Sequence, residues 1–339
     1  MRAATAPRAA MRLLSLSPRT GAFSDGTVAD LPQHLRRGDL LVLNDAATLP
    51  ASLPARGPDG QEIELRLAGQ EDAPGPPSFW AVVFGPGGWR ERTEDRPAPP
   101  ALPVGTWITI GGDLRAEVRA LSSLSPRLVL LRFAAADDAL WPALYRHGRP
   151  VQYSYLREPL ALWDVQTPFH ARPWAMEMPS AGRALTLPRL EELRGRGVSL
   201  AWLTHAAGLS STGDAALDAA LPLPERYEVP EATVEAVARA RAAGGRVVAV
   251  GTTVVRALES AAQDGRLRAG RGLATLRIDG GFRPRVVDGL LTGLHEDGTS
   301  HFELLKAFAP AAFLEPALRH AAEAGYLGHE FGDALLIHE

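Results

Sequence analysis

A histidine leaving a buried strand, two adjacent threonines at the mouth of a helix and a loop of small residues are the groups in this chain best placed to do chemistry. The histidine is His295, which follows Val286-Val287-Asp288-Gly289-Leu290-Leu291-Thr292. Imidazole titrates near neutrality, so at a strand end it can act as general acid or base. A histidine that only satisfies its own packing has the same sequence signature. The threonines lie where Arg246-Val247-Val248-Ala249-Val250 gives way to Gly251-Thr252-Thr253 and then to residues 254–260. This order reads as buried strand, glycine turn and helix, and ligands of open α/β sheets bind beyond the carboxyl ends of strands, against helix N-terminal amides. A polar or anionic group fits there, although Thr252 or Thr253 capping the helix would give the same letters. Arg256 and Glu259, one turn apart, read as a pair on the helix surface. The loop is Met178-Pro179-Ser180-Ala181-Gly182-Arg183, whose small side chains let a ligand approach the backbone closely, as a tight turn would also require.

Composition removes many other chemistries. The 339 residues carry 36 basic and 39 acidic side chains, a formal charge of −3, so there is no global electrostatic footprint for nucleic acid. The absence of cysteine excludes disulfides, thiolate nucleophiles and cysteine-bound metal, and fits an intracellular, reducing compartment. All but one of the basic residues are arginine, the exception being Lys306, which argues against Schiff-base chemistry and a phosphate-binding P-loop lysine. The arginines accompany heavy alanine, glycine, proline and leucine usage and read as compositional bias. Nine scattered histidines show no metal-binding spacing, so no metal is expected. Neither a G-x-S-x-G elbow nor a G-x-G-x-x-G fingerprint occurs, and no apolar run is long enough for a membrane helix.

The elements that must position these groups fall into two kinds. Residues 1–10 read as a flexible leader, 11–16 as a first strand, and 37–43 as a turn and a buried strand ending in Asn44-Asp45. From 57 to 150, short β-type runs at 62–67, 79–84, 104–110, 114–120 and 128–133 alternate with glycine- and proline-rich breaks, the pattern of a small barrel or sandwich. After residue 150 helices alternate with strands: a helix over 186–194 runs into a strand over 198–204, a helix over 230–243 feeds 247–250, and a further strand spans 274–278. Ser300-His301-Phe302-Glu303 reads as a capping box. The expectation is a mixed α/β main domain, with a largely parallel sheet, built from 11–56 and 151–339, and an all-β, barrel-like domain of 57–150 inserted in it.

Taken together, these segments resemble the S-adenosylmethionine:tRNA ribosyltransferase-isomerase family of queuosine biosynthesis. The matching stretches run in family order through nearly the whole chain, from Arg12-Leu13-Leu14 and Gly38-Asp39-Leu40 through Gln166-Thr167, Pro179-Ser180-Ala181-Gly182 and Gly251-Thr252-Thr253 to Val286–His295 and Gly332-Asp333-Ala334. The resemblance implies an enzyme that moves the ribosyl part of S-adenosylmethionine onto the aminomethyl group of 7-aminomethyl-7-deazaguanine in the tRNA anticodon region, releasing adenine and methionine and giving epoxyqueuosine. It implies a cytoplasmic monomer without membrane attachment. Its site must hold a sulfonium cation, bind adenine and remove a proton next to sulfur. The positions carried over are His295 for proton transfer and Asp45 for contacts to cation or ribose as catalytic residues. Asn44, Gln166, Ser180, Ala181, Gly182, Glu225, Gly251, Thr252, Thr253 and Arg256 are carried over as substrate-binding residues.

The chain also departs from the family pattern. Asn44-Asp45-Ala46-Ala47 stands where Asn-Asn-Thr-Arg is usual, Arg183-Ala184-Leu185 replaces Leu-His-Phe, and Leu221-Pro-Leu-Pro-Glu225 keeps only the glutamate of a histidine-rich stretch. These losses leave room for two other readings: S-adenosylmethionine with a small-molecule acceptor, and a noncatalytic ligand- or RNA-binding relative.

Overall fold

The apolar runs read as central strands are buried on both faces in the computed structural model, which describes residues 2–3, 10–71 and 76–339. Apart from residues 2, 3 and 10, the expected leader lies outside the described residues. Leu40, Val42, Val247 and Ala249 face a core shared with helices Glu231–Ala242, Thr252–Ser260 and Ala311–Glu323. The alternate residues Leu41, Leu43, Val248 and Val250 pack on the other side with Leu31, Leu190 and Leu193. Cover on both faces is why these strands are unbroken apolar runs.

Among the described residues the main sheet has nine strands, in the order Gly270–Ala274, Glu225–Val229, Ser199–His205, Leu40–Asn44, Val247–Val250, Gly289–Gly293, Ala334–Ile337, Arg12–Leu16 and Phe23–Thr27. The four central strands, Ser199–His205 through Gly289–Gly293, are mutually parallel. The flanks correct the expectation of a largely parallel sheet. Glu225–Val229 and Gly270–Ala274 add antiparallel on one side, and Ala334–Ile337 turns antiparallel to Gly289–Gly293 on the other. Phe23–Thr27 returns on Arg12–Leu16 after a short turn, and a connection that short permits only an antiparallel pair. The strand expected at 274–278 ends at Ala274 instead. The helix Ser300–Leu305 is capped by Thr299, whose hydroxyl accepts the Phe302 amide, in place of Ser300.

Six strands close a barrel: Leu114–Leu121, Leu128–Phe133, Ser78–Phe84, Glu62–Glu71, Ser52–Arg56 and Trp107–Ile110. The sequence showed five of them. Ser52–Arg56 is hidden by Pro54, which pairs with Glu64 on one side but precedes the point where the strand meets Trp107–Ile110, so its missing amide breaks no bond there. Just before the barrel, Ala46–Thr48 lies parallel to Arg172–Ala175, so the outgoing and returning chains run side by side.

One buried carboxylate fixes the strand that leads to the site. Glu259, 1% exposed, receives the backbone amides of Arg285, Val286 and Val287 at 2.9–3.1 Å and so ties the end of helix Thr252–Ser260 to the start of Gly289–Gly293. This corrects the reading of Glu259 as a surface residue. Replacing it with alanine would leave buried donors unpaired, each costing about 1–3 kcal/mol. Glu259→Ala is expected to lower stability by at least ~3 kcal/mol on that basis, read as a shift of the urea unfolding midpoint.

Candidate active site

Gly251 ends the Val247–Val250 strand with φ of +95°, a conformation that L side chains rarely adopt, and a Cβ there would stand 3.3 Å from that of Ala181. The turn aims the first amides of helix Thr252–Ser260 past the sheet edge, and no side chain caps them. The competing expectation, that Thr252 or Thr253 serves as the cap, is thereby corrected: Gly251 is the cap position and both threonines lie in the first turn. Asn44, at the end of the adjacent strand, donates its amide to the His205 carbonyl at 2.9 Å and to Thr253 Oγ1 at 3.3 Å, and accepts the amides of His205 and Ala46. Three parallel strands and the helix start are thus locked together behind the turn.

In front of the turn is a cleft. One wall is the small-residue segment containing Ser180 and Ala181, and another is the loop around Gly208 and Ser210. Its floor holds a buried ion pair: Arg256 donates to Glu225 and also to the Ala274 carbonyl at 2.7 Å, while Glu225 accepts the Gly208 amide. Burial lowers Arg256 to about 10. His205, fully buried, has Nε2 3.4 Å from Glu225, and burial holds its pKa well below the usual histidine value, so the ring is neutral.

The far wall is built from residues distant in sequence. His295 stacks on His301 with centroids 4.7 Å apart, and its Nε2 lies 3.0 Å from the Thr292 hydroxyl. Burial, then the neighbouring His301, pushes His295 well below its usual range, and burial lowers His301 as well. Both are neutral rings at physiological pH and weak proton acceptors. Beside them Glu177 takes the Tyr153 hydroxyl and the Ser210 amide, and Glu330 takes the Tyr155 hydroxyl. Burial keeps both phenols protonated far above pH 10. Glu177 is raised to about 7, first by burial and then by the charge of Glu330.

Of the residues expected from the sequence, Ser180, Ala181, Glu225, Gly251, Thr252, Thr253, Arg256 and His295 line this cleft together. Asn44 supports it from behind, and three others are placed elsewhere. Asp45 accepts the Thr204 hydroxyl at 2.6 Å and does not line the cleft; its burial raises its pKa. Gln166 exchanges two 2.9 Å hydrogen bonds with the backbone of Thr48, a structural clasp. Gly182 is small because a Cβ would lie 2.8 Å from the Phe169 ring. Arg256 is a buried partner of Glu225, not half of a surface pair with Glu259. Sequence reading missed Glu177, Ser210, His301 and Glu330. Glu177 directly precedes the small-residue loop, and His301 sits inside the segment read only as a cap, so both had signals; Ser210 and Glu330 had none.

A family model described as queuosine biosynthesis protein matches residues 2–337. The chain belongs to that family. An S-adenosylmethionine:tRNA ribosyltransferase-isomerase of Acidithiobacillus ferrooxidans is 37% identical over 336 residues, covering 97% of this chain and 92% of the relative. One from Thermus thermophilus is 36% identical over 346 residues, covering 98% and 93%. The crystal structure of S-adenosylmethionine tRNA ribosyltransferase from Thermotoga maritima aligns with 99% of this chain and 95% of its own at a TM-score of 0.54 and 27% identity. Among the described residues no group of three or more His, Cys, Asp or Glu could hold a metal ion, and no helix is long and apolar enough to cross a membrane.

Removing one partner of a buried ion pair typically costs about 3–5 kcal/mol. Arg256→Ala is expected to destabilise the fold by about that much, and Arg256→Met combined with Glu225→Leu to recover much of the loss, both read by denaturant unfolding.

Proposed function

We propose that this chain is an S-adenosylmethionine:tRNA ribosyltransferase-isomerase: it moves the ribosyl part of S-adenosylmethionine onto 7-aminomethyl-7-deazaguanine in the anticodon region of tRNA, releases adenine and methionine, and leaves epoxyqueuosine. The observation that carries the reading is the family match over residues 2–337, together with relatives of that name aligned over more than nine-tenths of their length. We read it as a monomer working in the cytoplasm, where tRNA is matured.

The cleft's polarity supports this ligand. The uncapped amides of Thr252 and Thr253 suit the methionine carboxylate, because a helix N-terminus concentrates unpaired donors and partial positive charge. Thr252 and Thr253 add hydroxyls. Along the wall that continues into Ser180 and Ala181, Glu177, in the field of Glu330, supplies negative charge suited to a sulfonium, and the His295–His301 stack offers neutral, flat surface for a purine. Ser180 and Ala181 keep that wall thin enough for the nucleoside to reach the backbone.

Incubation of the protein with S-adenosylmethionine and precursor-containing tRNA, followed by mass spectrometry, is expected to show adenine and methionine formed together, and only when tRNA is present. Adenine release without tRNA would show that the tRNA base is not needed for cleavage and would count against it as the acceptor. Absence of both turnover and S-adenosylmethionine binding by calorimetry would overturn the reading.

A further inference from the structure

Removing a proton from the carbon next to a sulfonium needs a base in the cleft that is in its proton-accepting form near neutral pH, and most candidates are already committed. Glu225 is neutralised by Arg256 and holds the Gly208 amide. Asp45 does not line the cleft. His295 is stacked on His301 with its Nε2 on the Thr292 hydroxyl, and burial makes both rings poor acceptors. Glu177 is different. It is half-buried in the wall that continues into Ser180 and Ala181; the Tyr153 hydroxyl and the Ser210 amide both donate to Oε1, so neither of them occupies Oε2, and the Ser210 hydroxyl is a third donor to the carboxylate. Tyr153 is itself positioned by a ring stack on Tyr155, centroids 6.1 Å apart, and Tyr155 by a closer stack of 4.4 Å on His329.

We propose that Glu177 is the catalytic base of this cleft, taking the proton from the carbon next to sulfur in bound S-adenosylmethionine. The inference rests on S-adenosylmethionine being the ligand. The C–H bond breaks with its electron pair left on carbon as a sulfur ylide, and the proton becomes the carboxylic acid proton of Glu177. Glu177 then gives this proton up to solvent, which restores the carboxylate for the next turnover.

The groups that set the protonation of Glu177 are Glu330, which raises its pKa; Tyr153, whose hydroxyl lowers it; and the backbone and hydroxyl of Ser210, which also lower it. Arg66 and Tyr155 feel its charge from the barrel side and from the neighbouring aromatic stack, and His301 lies within the field of Glu330. With the group raised to about 7, the basic form is lost as the pH falls through neutrality. Removing the charge of Glu330 favours ionised Glu177 and moves that loss to lower pH.

The test compares the wild type with Glu177→Gln, Glu177→Asp and Glu330→Gln, using S-adenosylmethionine and precursor tRNA. Three readouts are taken: calorimetric binding of S-adenosylmethionine, adenine release across pH 5.5–8.5, and deuterium uptake at the 5′ carbon in D2O. General-base removal typically loses about 10²–10⁴-fold. Glu177→Gln is expected to bind S-adenosylmethionine still, more weakly because its charge also faces the sulfonium, while losing at least ~100-fold in kcat and in 5′ deuterium uptake. Glu177→Asp should restore part of both, and Glu330→Gln should move the acid limb of the kcat/KM profile to lower pH. A Glu177→Gln enzyme that binds, turns over and exchanges like wild type overturns the assignment and leaves the ribosyltransferase reading intact. Wild-type protein that neither binds S-adenosylmethionine nor releases adenine overturns that reading and this proposal with it.

Discussion

Arg256 is only 4% exposed on the helix that carries it, and much of the cleft is arranged around that burial. A guanidinium so placed stays charged only where a carboxylate and carbonyl oxygens replace its hydration. Glu225, on the first antiparallel strand beyond the parallel centre, supplies the carboxylate, and Ala274 on the next strand out supplies a carbonyl. The same carboxylate holds the Gly208 amide. One charge pair therefore fixes the helix behind the turn, two flanking strands and the loop that brings Ser210 to Glu177. The antiparallel flank missing from the sequence reading is what provides these partners.

Backbone donors stand at the glycine turn, and carboxylates and uncharged rings line the same cleft. Phenolic hydroxyls hold the carboxylates, and because burial keeps those phenols protonated they remain donors across the physiological range.

How much of this was legible follows from how local each feature is. The strand, glycine and double threonine at 247–253 are contiguous, so their letters alone announced the strand end, the turn and the helix start. The central strands were visible because burial on two faces leaves an unbroken apolar run. Ser52–Arg56 was not, because a proline tolerated at one register position looks like a turn until the partner strands are known. Asp45 and Asn44 show the limit of reading by proximity. They are adjacent in the chain, yet neighbouring side chains of an extended segment point in opposite directions, so Asn44 reaches Thr253 while Asp45 turns to Thr204. Glu177 and Glu330 come together only through long-range folding, which no periodicity encodes.

The side-by-side passage of Ala46–Thr48 and Arg172–Ala175 has a bearing on how this architecture can vary. Everything between those segments leaves and re-enters through one narrow ribbon whose two members are already hydrogen-bonded to each other. The barrel also reaches the loop that carries Ser210: Thr93 bonds to Ser211, Ser125 to Asp214, and Arg127 donates to the carbonyls of Thr212 and Gly213. Barrel loops away from these contacts can change length or sequence while the ribbon holds their ends, whereas those at Thr93, Ser125 and Arg127 are tied to the edge of the cleft.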